Sequence, residues 1–79
     1  MSRPIRDVKI ERFGEKLRTL RIRHNLSLVD VAQSLGYTST THIDHLEKGR
    51  RNPTAELILK VSLLFQVSAD DLLDDAREV

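Results

Sequence analysis

The sequence contains no cysteine and no tryptophan, and it has only one tyrosine and two phenylalanines among 79 residues. Without cysteine, neither disulfides nor zinc–thiolate centres can hold the fold, so a hydrophobic core has to do so alone. The lack of cysteine is also typical of a reducing compartment. Few aromatic residues and no sustained alternation of apolar and polar residues argue against β-strands. These scarcities favour a single small helical domain.

Long apolar runs are missing as well. No stretch approaches the roughly 20 apolar residues that a membrane span needs, and the start, Met1-Ser2-Arg3-Pro4, lacks the apolar segment of a signal peptide. No glycine-rich phosphate loop, nucleophile motif or paired carboxylate in a predicted cleft indicates catalysis. We therefore expect a cytoplasmic protein that is not an enzyme and that needs no cofactor, metal, membrane or small-molecule ligand.

Charge is distributed unevenly along the chain, although the net charge is only +1. Residues 1–52 carry eleven Lys and Arg against six Asp and Glu, a net charge of +5, whereas residues 53–79 carry two against six, a net charge of −4. A basic segment of this kind indicates a polyanionic partner. Two solvated surfaces of opposite charge would give the same pattern, so charge alone leaves both interpretations open.

Helical periodicity and helix-capping residues fill the rest of the chain. Apolar residues recur at steps of three and four from Ile10 to Leu20, which predicts an amphipathic first helix. A hydroxyl followed three residues later by a carboxylate predicts helix starts at Ser27 and at Ser68. We predict five helices, over about residues 9–24, 28–35, 40–48, 54–65 and 69–76, in one all-α domain over residues 9–76. A basic arm over residues 1–8 precedes it, and the last three residues are expected to fray.

The inward-facing residues follow from the same periodicity. In the second and third helices they are Val31, Ala32, Leu35, Ile43 and Leu46. Gly36 suits the left-handed residue that ends the second helix, and Gly49 ends the third. The fourth helix is more apolar than one core requires. With Ile58, Val61 and Phe65 facing inward, Leu59 and Leu63 lie on another side.

The central passage carries the functional signal. It runs Leu26-Ser27-Leu28-Val29-Asp30-Val31-Ala32-Gln33-Ser34-Leu35-Gly36, then Thr40-Thr41-His42-Ile43-Asp44-His45-Leu46-Glu47-Lys48-Gly49, then Arg51-Asn52-Pro53. Together with Leu17-Arg18-x-x-Arg21 and Val67-Ser68-x-Asp70-x-Leu72-Leu73, this order and spacing resemble the XRE (Cro/cI-type, lambda-repressor-like) helix-turn-helix family over residues 12–73. The resemblance implies a compact five-helix lambda-repressor-like domain that binds double-stranded DNA and regulates transcription. A recognition helix at about residues 40–48 would enter the major groove of a near-palindromic operator.

The resemblance also implies roles for individual residues. The residues implied to contact bases are Thr40, Thr41, His42 and His45. Threonine can touch a thymine methyl or a base edge, and histidine can donate to guanine or to a phosphate. Asp44 would be repelled by phosphates unless it accepts from a cytosine amino group, pairs with a nearby basic side chain, or lies at the rim. Plain solvent exposure of this flank is the alternative, and a metal site at His42 and His45 lacks a further ligand.

Residues around the recognition helix are implied to bind phosphates: Ser27, Gln33, Ser39, Lys48, Arg50, Arg51 and Asn52. An ion pair of Arg21 with Glu47 would join the first helix to the recognition helix. Two features depart from the family pattern. Leu28 stands where a polar, phosphate-binding residue is usual, and the segment between Gly36 and Glu47 is one residue longer than in the commonest version. The helix register could therefore shift by one, which would make Ser39 a cap or a phosphate ligand.

Two further expectations concern partners. We expect a homodimer through the fourth and fifth helices, with Leu59, Leu63 and Leu73 at the interface. The basic arm either reaches DNA or only aids solubility. The alternative function is a protein-interaction module, antitoxin-like or an adaptor, with weak or vestigial DNA binding. Leu28 and Asp44 favour that alternative, whereas Arg50-Arg51-Asn52 argues against it.

Overall fold

Five α-helices make up the part of the chain that the computed structural model describes, residues 10–79. They are α1 (Phe13–Arg23), α2 (Leu28–Ser34), α3 (Thr41–Glu47), α4 (Ala55–Phe65) and α5 (Ala69–Leu73). That part of the chain contains no β-strand, so the all-α prediction is confirmed. Within the same range, no helix has the length and apolar character needed to span a membrane. The basic arm predicted over residues 1–8 lies outside the described residues.

The first and last helices are shorter than predicted. α1 begins at Phe13 and not at residue 9, because the carboxylate of Asp75 accepts hydrogen bonds from the backbone N–H groups of Glu11 and Arg12 at 3.0–3.2 Å. Ile10 is consequently outside the helix and 44% exposed. α5 ends at Leu73 and not at residue 76, since Asp74 adopts an extended backbone conformation.

The C-terminal residues are bound to the start of α1, contrary to the expectation that they fray. The guanidinium of Arg12 donates to the carboxylate of Glu78 at 2.8 Å and to the backbone carbonyl of Asp75 at 2.8 Å. Glu78 and then Glu15 raise the pKa of Arg12 above its usual value, because both carboxylates accept its hydrogen bonds. The segment after α5 thus caps the first helix.

Residues from all five helices form one core. The buried apolar residues are Phe13, Leu17, Leu20, Val31, Ala32, Leu35, Ile43, Leu46, Leu57, Val61, Phe65 and Leu72. The inward faces predicted for α2 and α3 are confirmed. In α4 the prediction is confirmed for Val61 and Phe65 and in part for Ile58, which is half-buried against the core. Leu57, which was not predicted there, is 1% exposed and completes the inner face.

Local capping explains where α2, α4 and α5 begin. Ser27, Thr54 and Ser68 each accept a hydrogen bond from the backbone N–H three residues further on. At α2 the exchange is reciprocal, since the carboxylate of Asp30 accepts from the Ser27 backbone N–H at 2.9 Å. That backbone hydrogen bond is the main cause that lowers the pKa of Asp30. Gly36, at φ 86°, provides the left-handed residue predicted after α2.

A buried lysine ties α1 to α5, and sequence reasoning missed it. Lys16 is 1% exposed, and its Nζ donates to the backbone carbonyls of Asp71 and Asp74, both at 2.6 Å. These carbonyls belong to the last turn of α5 and the residue after it, where helices leave acceptors unpaired. A signal was available, because Lys16 lies three residues after Phe13 and four before Leu20, on the same stripe of the helix.

Candidate nucleic-acid interface

α3 has one apolar and one polar side. Ile43 and Leu46 are 0% and 1% exposed and pack into the core. On the other side, Thr41 is exposed, and Thr40, His42 and His45 are half-buried. All four residues implied to contact bases therefore retain solvent-accessible surface on one short helix and its first turn. The arrangement offers hydroxyl and imidazole groups to a ligand without disturbing the core.

Ser39 and Thr40 form the N-terminal boundary of α3. Thr40 already has helical backbone angles, φ −77° and ψ −13°, and its own side chain makes no capping hydrogen bond. The hydroxyl of Ser39 instead accepts from the backbone N–H of Thr41 at 3.1 Å and donates to the Thr41 hydroxyl at 3.1 Å. Ser39 thus pairs one of the free N–H groups at the start of α3, and its assignment to a phosphate stays a prediction.

The turn after α3 is basic and exposed. Arg50, Arg51 and Asn52 all lie at the surface, and the backbone N–H of Arg50 donates to the carbonyl of His45 at 2.8 Å, which ends the helix. The Arg50 side chain makes no hydrogen bond or ion pair within residues 10–79. Arg51 bends back onto α3, where its Nη1 lies 2.8 Å from Nδ1 of His42. One arginine is thus available to a ligand and the other is held against the helix.

His42 lies at the centre of a small cluster. Its ring also lies against the ring of Tyr37, with centroids 4.6 Å apart and planes inclined by 45°. Partial burial, then the charges of Arg51 and His45, lower the pKa of His42 below its usual value, which favours the neutral imidazole. Sequence reasoning did not pair His42 with Arg51 or with Tyr37.

Asp44 pairs within its own helix. Its Oδ2 lies 3.1 Å from Nζ of Lys48, one turn further on. This ion pair with a nearby basic side chain is one of the alternatives that the sequence left open for Asp44. The same contact engages the charge of Lys48, which the sequence assigned to a phosphate.

On the α2 side of the candidate interface, fewer side chains are available to donate hydrogen bonds to a phosphate than in the turn after α3. The Ser27 hydroxyl is already engaged as the cap of α2. Leu28 packs against the core, so it does not replace the polar residue that is usual there. Gln33 is exposed, and it lines a shallow groove of about 480 Å³ between α2 and α4 together with Leu63.

An ion pair joins α1 to α3. Nε and Nη2 of Arg21 donate to the two carboxylate oxygens of Glu47 at 2.7 and 3.1 Å, and Nη1 donates to the carbonyl of Leu26 at 3.1 Å. The side chains are 15% and 6% exposed. Hydrogen bonding to Glu47 raises the pKa of Arg21 above its usual value. The contact fixes the C-terminal end of α3 relative to α1.

The residues expected at a dimer interface differ in exposure. Leu59 and Leu63 on α4 are 60% and 68% exposed. Leu73 is partly buried against the core of its own chain. Leu59 and Leu63 lie one turn apart on the same helix. We call the exposed apolar surface that they form the α4 face.

A family model described as helix-turn-helix matches residues 17–72. That range contains α2, α3 and α4 whole, and it covers well over half of the chain. The chain belongs to the XRE-type helix-turn-helix family. This is a family of DNA-binding transcription regulators.

Named relatives of this XRE-type domain are regulators. It is 39% identical over 61 residues to the HTH-type transcriptional activator BcrR of Enterococcus faecalis and 30% identical over 65 residues to the cryptic phage CTXphi transcriptional repressor RstR of Vibrio cholerae. These matches cover 77% and 82% of the chain but only 29% and 58% of those relatives. An uncharacterised HTH-type transcriptional regulator of Methanocaldococcus jannaschii is 37% identical over 57 residues, which are 72% of this chain and 85% of that one.

A solved structure shares the same XRE-type fold. The restriction-modification controller protein C.AhdI of Aeromonas hydrophila superimposes with a TM-score of 0.71 at 28% identity, over 81% of this chain and 96% of its own. The five-helix order found here is therefore an arrangement that a known regulator of this size also uses.

Proposed function

We propose that the chain is a sequence-specific transcription regulator that reads its operator with α3. The observation that carries this proposal is the division of α3 into a buried apolar side and an accessible polar side, with a basic turn directly after it. A helix of this kind can lie in the major groove while the flanking turn meets the phosphates. In this reading Thr40, Thr41, His42 and His45 face base edges.

The phosphate contacts follow from side-chain availability. Arg50 and Asn52 are exposed beside α3, and Arg51 retains N–H groups that His42 does not use. The exposed Gln33 would add a hydrogen bond. Ser27 would donate through the O–H of the hydroxyl that caps α2, and Ser39 would contact a phosphate only by giving up its hydrogen bond to the Thr41 hydroxyl. Lys48 contributes less than a free lysine, since Asp44 already neutralises it.

The test is selection of duplexes from a random-sequence pool on the purified protein, followed by footprinting at two salt concentrations. We expect a protected, near-palindromic site. Thr41→Ala and His45→Ala should each reduce the affinity for the selected site about 5- to 150-fold, and each should remove the sequence preference at one base pair of that site. Thr19→Ala, at an exposed position on α1, is the matched control and should leave affinity unchanged. Steep salt dependence without sequence preference would contradict specific reading, and a pool from which nothing is retained would favour the protein-interaction alternative.

We further propose that the protein binds DNA as a homodimer through the α4 face, with Leu73 at its edge. Adjacent exposed leucines on one helix are apolar surface that a partner can cover, and a two-fold symmetric dimer would set two α3 helices about 34 Å apart, one turn of DNA.

Sedimentation of Leu63→Glu beside the unchanged protein tests the dimer. We expect a dimer at micromolar concentration for the unchanged chain and a folded monomer for the variant. Ile22→Glu, at a position 51% exposed on α1, should remain dimeric. A monomer for the unchanged chain, with no dimerisation on DNA, would refute the proposal.

A further inference from the structure

Arg51 and His42 are held together although nine residues separate them in the chain. Nη1 of Arg51 lies 2.8 Å from Nδ1 of His42. A guanidinium can only donate hydrogen bonds, so Nδ1 of His42 is the acceptor. The ring proton of the neutral imidazole must then be on Nε2, which leaves one N–H donor on the far side of the ring.

Three groups face His42, from three different parts of the fold. They are Tyr37 from the segment between α2 and α3, His45 from the next turn of α3, and Arg51 from the turn after it. None of the three is a carboxylate. A protonated His42 would therefore lose its hydrogen bond to Arg51 and stand beside a second positive charge.

We propose that His42 positions Arg51 at the DNA interface, so that the two residues act as one unit and not as two separate contacts. The acceptor at Nδ1, supported by the Tyr37 ring, holds the guanidinium over the outward flank of α3 before DNA arrives. A long side chain that is already ordered loses less conformational entropy when it meets a phosphate. The inference rests on the proposed function, because it assigns Arg51 to the same DNA surface.

A double-mutant cycle on DNA affinity tests the positioning role. The probe is a labelled duplex selected on this protein from the random pool, at pH 7.5 and fixed salt. We expect His42→Ala and Arg51→Ala each to weaken binding about tenfold, and the double variant also about tenfold and not a hundredfold. The matched control pairs His42→Ala with Arg50→Ala, whose effects should multiply because these side chains share no hydrogen bond.

The cycle separates this inference from the proposed function. If each single variant weakens binding and the double variant weakens it multiplicatively, α3 still binds DNA but His42 does not position Arg51. If neither single variant changes the affinity, or the unchanged protein retains no duplex, both the interface and the inference are wrong. Thermal melting of each variant shows that the domain still folds.

A pH profile gives a readout that a purely structural role would not move. His42→Asn keeps a side-chain oxygen near the position of Nδ1, and this oxygen accepts from Arg51 at any pH. Between pH 7.5 and 5.5, we expect the affinity of the unchanged protein to fall about three- to tenfold relative to His42→Asn. Any effect of pH that does not pass through His42 is common to both proteins. A relative rise in affinity at low pH would mean that the protonated imidazole of His42 binds a phosphate by itself and does not act through Arg51, and would overturn the proposal.

Discussion

At the scale of single residues, Gly14 determines how closely two helices approach. It is buried on α1, and a Cβ placed there would lie 2.8 Å from the carbonyl oxygen of Glu47 and closer still to that of Leu46. The obstacle is backbone and not a flexible side chain, so it cannot turn aside. The backbone of α1 at Gly14 therefore lies against the last turn of α3, where there is room for the glycine hydrogen but not for a methyl group.

Gly14→Ala should destabilise the protein by about 2 kcal/mol, since overpacking against backbone exceeds the gain of about 1 kcal/mol that alanine brings to a helix. Thr19→Ala, at an exposed position on the same helix, should change the free energy of unfolding by less than about 0.5 kcal/mol. Urea denaturation measures both. A Gly14→Ala variant as stable as the parent would show that the two helices are further apart.

At the scale of helices, the Arg21–Glu47 pair couples α1 to α3. Arg21→Ala should cost about 3 kcal/mol, because it leaves a carboxylate that is 6% exposed without its charged partner. The double variant Arg21→Met with Glu47→Met should recover most of that loss, since neither charge then remains buried. Thermal melting distinguishes these outcomes, and an unchanged melting temperature for Arg21→Ala would contradict the structural role of the pair.

The same scale includes the capping of α1 from the far end of the chain. The carboxylate of Asp75 accepts from two backbone N–H groups, of Glu11 and Arg12, and these hydrogen bonds hold the pKa of Asp75 below 3.8. The folded protein therefore binds the Asp75 proton less readily than the unfolded chain does. Its stabilising contribution is complete above about pH 5 and is lost as the pH falls further, through the depressed pKa.

Asp75→Ala should lower the melting temperature by about 4–8 °C at pH 7, and Asp75→Asn, which keeps one acceptor, by less. The difference between Asp75→Ala and the unchanged protein should shrink below pH 4, as the parent loses the same contribution. Calorimetry at pH 7 and pH 3 measures this change. A difference that stays constant with pH would mean that the carboxylate charge plays no part.

At the scale of the whole molecule, the charge distribution predicts how DNA binding depends on salt. The net charge of +5 over residues 1–52 and −4 over residues 53–79 favours one orientation on a polyanion. Each phosphate contact that is lost should reduce the slope of log affinity against log salt by about 0.9. We expect a loss near that value for Arg50→Ala.

Lys48→Ala should reduce the slope by clearly less, because Asp44 lies 3.1 Å from the Lys48 ammonium and already offsets its charge. Arg77→Ala, in the acidic part of the chain, should leave the slope unchanged. Equal slopes for Arg50→Ala and Lys48→Ala would show that the Asp44–Lys48 pair opens on DNA. Titrations at four salt concentrations are sufficient.

Much of the fold could be predicted because it depends on local chemistry. The caps at Ser27, Thr54 and Ser68 and the turn at Gly36 each involve partners within four residues. The polar flank of α3 is visible in the same way, as the complement of Ile43 and Leu46. The helix ends that were predicted wrongly, at residues 9 and 76, are those where a partner distant in the sequence replaces the local cap.

What the amino-acid order determined alone is the helical content, the inner faces of α2 and α3 and the position of α3 with its polar flank, because hydrogen bonding and burial repeat every three to four residues there. Tertiary packing decided which distant groups meet. Lys16 reaches carbonyls 55 and 58 residues away, and Asp75 caps a helix that begins 62 positions before it. Arg51 returns to His42 for the same reason. Such contacts depend on the angles at which helices cross, and those angles arise only when every apolar face is buried at once.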